Sequence, residues 1–103
     1  MQINFLSQFL LVRLLAERGC FKEGESKVIQ VSSLSSEKAS FGTEEGGLAA
    51  AAKRSADTYD GMTAYRLSKL AQVLVAPEIA SRLNVQSYSV HPGVVNTPLF
   101  YRN

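Results

Sequence analysis

Thr63-Ala64-Tyr65-Arg66-Leu67-Ser68-Lys69-Leu70-Ala71-Gln72-Val73-Leu74 opens an apolar-periodic run that continues to Leu83. Leu67, Leu70, Ala71, Leu74 and Val75 recur at helical spacing and predict a helix over 63–83 with a buried stripe. On such a helix Tyr65 and Lys69 share a face, so an ammonium can stand beside a phenol. A free phenol holds its proton to about pH 10 and needs a nearby positive charge to act as a base near neutrality. Tyr65 and Lys69 are therefore a candidate acid/base pair. The spacing is common by chance in a chain with 4 tyrosines, so the flanking segments have to support it. Pro77 falls inside the pattern, where it removes a backbone donor and crowds the preceding turn. It predicts a kink or break between Val75 and Glu78.

Downstream, Asn84 ends the run and residues 85–90 alternate apolar with polar, as a strand does. His91-Pro92-Gly93 stops that strand, and residues 91–103 read as loop and tail. Upstream, the β-branched run Lys27-Val28-Ile29-Gln30-Val31 breaks into Ser32-Ser33-Leu34-Ser35-Ser36, which predicts a strand over 27–32 ending in a polar turn. Enough chain joins the strands for a crossover through the helix, so they should be parallel neighbours. Ligands of open α/β sheets collect at the carboxyl ends of strands. Serine clusters also simply end strands and cap helices, so Ser32 and Ser33 do not decide the matter alone. Residues 37–61, with Gly42, Gly46 and Gly47 and the tract Ala49 to Arg54, read as an exposed insert whose alanines suffice for about two helical turns. At the other end, Ile3, Leu6, Leu10 and Leu14 predict a helix over 3–18. A second stripe of Phe5, Phe9, Val12 and Ala16 makes its apolar face wide enough to need cover on more than one side. Gly19 stops it.

Composition narrows the function classes. The chain has 103 residues, 46% hydrophobic, which is the size of one small domain. A net charge of +2 with scattered Lys and Arg argues against a nucleic-acid partner. The single Cys20 excludes an internal disulfide and makes a reducing compartment the default, and no Cys/His cluster offers metal-ligand spacing. Met1 to Ala16 is too short to span a bilayer, and no basic residue precedes Arg13 as a signal peptide would require. A membrane-associated or organellar role for that segment stays open beside a cytoplasmic one. There is no internal repeat.

With this order in place, the chain resembles the later, catalytic half of the short-chain dehydrogenase/reductase family. Asn4 within "INFLSQFLL" is similar to that family's central helix with its active-site asparagine, and "KVIQVSS" to the strand that ends at the active-site serine. "AYRLSKLAQVL" resembles the Tyr-x-x-x-Lys helix, and "VHPGVVNTPL" the loop that closes on the nicotinamide. The wording of the last two segments and the insert before Tyr65 look most like the retinol dehydrogenase and WW-domain oxidoreductase branch.

The resemblance implies an α/β fold, a partial, doubly wound Rossmann arrangement of helix, strand, helix and strand in a single partial domain. It implies an oxidoreductase that interconverts a small-molecule alcohol and a ketone or aldehyde with NAD or NADP. Tyr65 would be the acid/base and Ser33 would hydrogen-bond the substrate oxygen. Lys69 would support the phenol and hold the nicotinamide ribose, and Asn4 would hold a water that links Lys69 to solvent. Pro92 and Gly93 would shape the turn beside the nicotinamide, with the Val95 backbone on the carboxamide and the Thr97 hydroxyl near the cofactor. His91 is expected as a neighbour rather than a catalytic residue, and no acid is placed to complete a serine-hydrolase triad with Ser33.

The sequence contains no Gly-rich Thr-Gly-x-x-x-Gly-x-Gly turn, no discriminating strand that would decide between NAD and NADP, and no Asn-Asn-Ala-Gly segment. The expectation is a fragment or truncated product, inactive alone, with an open sheet edge and an exposed apolar helix that favour association. A second expectation is a non-catalytic truncation that pairs with itself or with a full-length relative through helices 3–18 and 63–83. A third is an unrelated α/β binding module.

Overall fold

A computed structural model describes residues 1–40 and 56–98. The alanine tract of the expected insert and the tail beyond Pro98 lie outside the described residues. The chain opens on a π-helical turn, Gln2–Leu6, that runs directly into helix α1, Ser7–Glu17. Gly19, at φ +66°, closes α1. Its N–H donates to the Ala16 carbonyl and the Cys20 N–H to the Leu15 carbonyl, both at 3.0 Å. Those two bonds satisfy carbonyls that a helix end otherwise leaves open, which is why a residue free to adopt positive φ stands there.

Strand β1, Lys27–Val31, pairs in parallel with strand β2, Gln86–Val90, in a two-stranded sheet with Val28 opposite Ser87 and Val31 opposite Val90. The chain is thus α/β with the expected parallel pair. Helix α2, Gly61–Leu83, connects the strands and packs on both. It starts two residues earlier than its apolar periodicity because Asp60 caps it: the carboxylate accepts the Thr63 N–H at 2.8 Å and the Thr63 hydroxyl. The helix continues through Pro77 as one element, so of the expected kink or break the break does not occur. Pro77 is exposed, where its ring meets solvent rather than a packed neighbour.

Val28, Ile79 and Val85 form the core, with Val12, Phe21, Val75 and Leu83 packed around them. The buried line of α2 differs from the expected stripe. Leu67, Ser68, Ala71, Gln72, Ala76 and Ile79 are buried, whereas Leu74 is 54% exposed. Polar partners on the opening turn and α1 draw Ser68 and Gln72 inward. Among the described residues only one face of the sheet is covered: Val28 and Gln30 are buried under α2, while Ile29, Val31, Tyr88 and Val90 on the opposite face are exposed. Among the described residues no helix is long and apolar enough to cross a membrane.

Candidate active site

The carboxyl ends of the two parallel strands bring the sequence-singled residues together. β1 ends at Val31, and the following Ser32 N–H still donates to the Val90 carbonyl at 2.8 Å, holding the strand ends side by side. The buried Ser32 hydroxyl then donates to the Lys69 carbonyl at 2.8 Å. In return the Lys69 ammonium donates to the Val31 carbonyl, also at 2.8 Å. This reciprocal pair fixes α2 against the end of β1 and sets Lys69 at the sheet's ligand edge.

Tyr65 is half-buried, and Lys69 Nζ lies 5.6 Å from its ring centroid, within cation–π range. The i, i+4 geometry expected from the sequence is therefore present. An ammonium has three donors, and the bond to Val31 uses one, so Lys69 can also serve the phenol or a ligand hydroxyl.

Ser33 is extended, at φ −157° and ψ 151°, and caps a short 3-10 helix over Leu34–Lys38 by accepting the Ser35 N–H at 3.2 Å. This turn packs against α2. A hydroxyl that accepts at its oxygen keeps its proton to donate, which suits a contact with a substrate oxygen. Ser32 and Ser33 thus divide the work: the first is a structural bond to α2, the second stands half-buried at the edge.

Asn4 reaches the site from the opening π-helical turn. Its Nδ2 donates to Ser68 Oγ at 3.2 Å, and Ser68 Oγ donates to the Tyr65 carbonyl at 2.6 Å. Gln72 Nε2 donates to the Asn4 carbonyl at 2.7 Å and to Gln8 Oε1 at 2.9 Å. Ser68 is 0% and Gln72 1% exposed, so this polar seam runs through the helix contact itself. Sequence reasoning missed Gln8, Ser68 and Gln72. The available signal was that Ser68 and Gln72 are four apart on the face between Leu67 and Ala71, a position a purely apolar stripe would fill.

His91, Pro92, Gly93 and Val95 are exposed at the end of β2, with Thr97 half-buried beyond them. Gly93 has φ +89°, and a Cβ there would meet nothing within 4 Å. The glycine is needed for backbone conformation rather than for close packing. His91 Nδ1 accepts the Leu34 N–H at 3.3 Å. Among the described residues no group of three or more His, Cys, Asp and Glu could hold a metal.

A separate groove of about 790 Å³ lies between α1 and the later half of α2. Phe9, Val12, Ala16, Val75, Ile79 and Leu83 line it, and the ion pairs Arg13–Glu17 at 3.3 Å and Glu78–Arg82 at 2.9 Å rim it. It excludes Tyr65 and Lys69 and offers apolar cover rather than acid/base chemistry.

The sequence is similar to that of curated proteins. Mouse (Mus musculus) retinol dehydrogenase 11 is 37% identical over 101 residues. The human (Homo sapiens) retinol dehydrogenases 11 and 12 are 37% identical over 103 and 100 residues. Each alignment covers 94% of this chain but 29% of the relative, so the chain spans less than a third of the length of the curated relatives it matches. No family model matches the chain, and no solved structure matches it significantly. The resemblance expected from the sequence is borne out for this segment.

Proposed function

Since the chain is related through this segment to the short-chain dehydrogenases/reductases of the retinol dehydrogenase kind, we propose that it supplies the acid/base half of an NAD(P)-dependent alcohol–carbonyl oxidoreductase. The observation that carries this reading is Lys69 held by Val31 at the sheet's carboxyl edge with its ammonium beside the Tyr65 ring. The named activity of the relatives makes a hydrophobic primary alcohol and its aldehyde the first substrates to try.

Among the described residues, Lys69 and the loop from Pro92 to Thr97 are the groups that would meet the nicotinamide end of the cofactor. Lys69 has donors for a ribose, and Pro92, Gly93, Val95 and Thr97 form an open loop at the end of β2. No Gly-rich turn in the sequence would cradle the pyrophosphate. When bound, the nicotinamide supplies or accepts the hydride. In reduction Tyr65 gives its phenolic proton to the substrate oxygen, and in oxidation it takes that proton back. The Ser33 hydroxyl donates to the same oxygen and stabilises its growing charge. Lys69 balances the charge on the phenol. Asn4, one hydroxyl from the Tyr65 carbonyl, orients that turn of α2.

Activity belongs to this chain joined behind a Gly-rich strand-turn-helix. The fusion should consume NADH or NADPH when given a small aldehyde or ketone, read by nicotinamide absorbance. No turnover with either cofactor across a panel of carbonyl compounds would contradict the reading.

A second reading is favoured by one observation: Ile3 is 81% exposed, and Leu6, Leu10, Leu11 and Leu14 are exposed beside it. Together with the apolar groove, this surface suits pairing of the first helical run and α2 with a second copy or a longer relative. Gel filtration at increasing concentration tests it, and a monomer throughout that does not co-elute with a longer relative counts against it.

A further inference from the structure

His91 sits where the two strand ends meet, and the reaction scheme gives it no task. Two backbone amides tie the end of β1 to the end of β2: Ser32 N–H to the Val90 carbonyl at 2.8 Å, and Leu34 N–H to His91 Nδ1 at 3.3 Å. Ser33 is the residue between them. Its extended backbone is therefore held on both sides by consecutive residues of the neighbouring segment, and its own hydroxyl is turned to the Ser35 amide. We propose that His91 is a positioning residue that clamps the Ser33 turn to the Pro92–Gly93 loop, setting the substrate-oxygen donor relative to the nicotinamide end of the site. The assignment of Ser33 to the substrate rests on the proposed function; the clamp does not.

Accepting an N–H at Nδ1 requires that nitrogen to be unprotonated, with the ring proton on Nε2. Shape gives a handle on it. The oxygen of an asparagine side chain can stand where Nδ1 stands, whereas glutamine places its oxygen near Nε2.

The test is amide hydrogen exchange by NMR on the ¹⁵N-labelled full chain, with Leu34 measured against Ser32, whose acceptor does not titrate. His91→Ala and His91→Gln should speed Leu34 exchange roughly five- to tenfold at neutral pH. His91→Asn should keep the protection. Equal Leu34 protection in parent and His91→Ala overturns the proposal, as does a parent Leu34 amide exchanging like an unstructured peptide. None of these readouts depends on turnover, so failure of the enzymatic reading would leave the outcome distinct.

Discussion

Ser32 and Lys69 are bonded reciprocally across the end of β1: the serine hydroxyl donates to the lysine carbonyl at 2.8 Å, while the lysine ammonium donates one residue earlier, to Val31, at 2.8 Å. The first of these bonds is buried and neutral, the second more exposed and charge-assisted. Ser32→Ala removes the buried donor and should cost about 1–2 kcal/mol in urea unfolding. It should also reduce activity of the completed enzyme, because Lys69 loses its register on β1. Unchanged stability would mean that α2 is held on the sheet by apolar contacts alone.

Gln72 donates to both Asn4 and Gln8, and its Oε1 has no partner among the described residues. Gln72→Leu fills the same space but leaves two acceptors of the first helical run unmatched. A loss of roughly 2 kcal/mol is expected by equilibrium unfolding, with Asn4 losing its fixed place. A neutral or stabilising outcome would show that the seam is dispensable.

The Thr63 hydroxyl and then the Thr63 amide, both donating to Asp60, hold its carboxyl below the ordinary value of 3.8. A carboxylate with a lowered folded pKa adds stability above its unfolded pKa and loses that contribution as pH falls through the lower, folded value. Helicity followed by circular dichroism should therefore show an acid-linked decline below about pH 4. Asp60→Asn, which still caps but does not titrate, should flatten that part of the decline. Asp60 is fully exposed, so the difference will be small; identical acid profiles would rule the cap out as a source.

Pro77 lies on the exposed side of an unbroken helix. Pro77→Ala restores a backbone donor and a better helix former, and should stabilise the chain by about 1–3 kcal/mol in urea titration. Loss of stability would show that the proline ring makes a contact the helix needs.

Much of the site was legible because it rests on local periodicity. Tyr65 and Lys69 come together through one helical turn, and the β-branched run ending in serines leads to a parallel partner because a helix separates the strands. Asp60 was legible in principle as an acidic cap three residues before Thr63. The seam was not, because Gln72 finds its acceptor 68 residues away on a π-helical turn, and no local pattern announces that carbonyl. The exchange between Leu74 outside and Gln72 inside follows from the same distant partner. The helix over 63–83 was legible from its periodicity, whereas the choice between a kink and a break at Pro77 was not, since it depends on what packs beside the proline ring.

The central claim is that the Tyr65 phenol is the acid/base. It is tested most directly by Tyr65→Phe in this chain joined to a Gly-rich dinucleotide-binding segment, with turnover of an aldehyde followed by nicotinamide absorbance. The ring, its contact with Lys69 and the fold should persist, while turnover falls by about 10²-fold or more. Turnover within a few-fold of the parent would contradict the account.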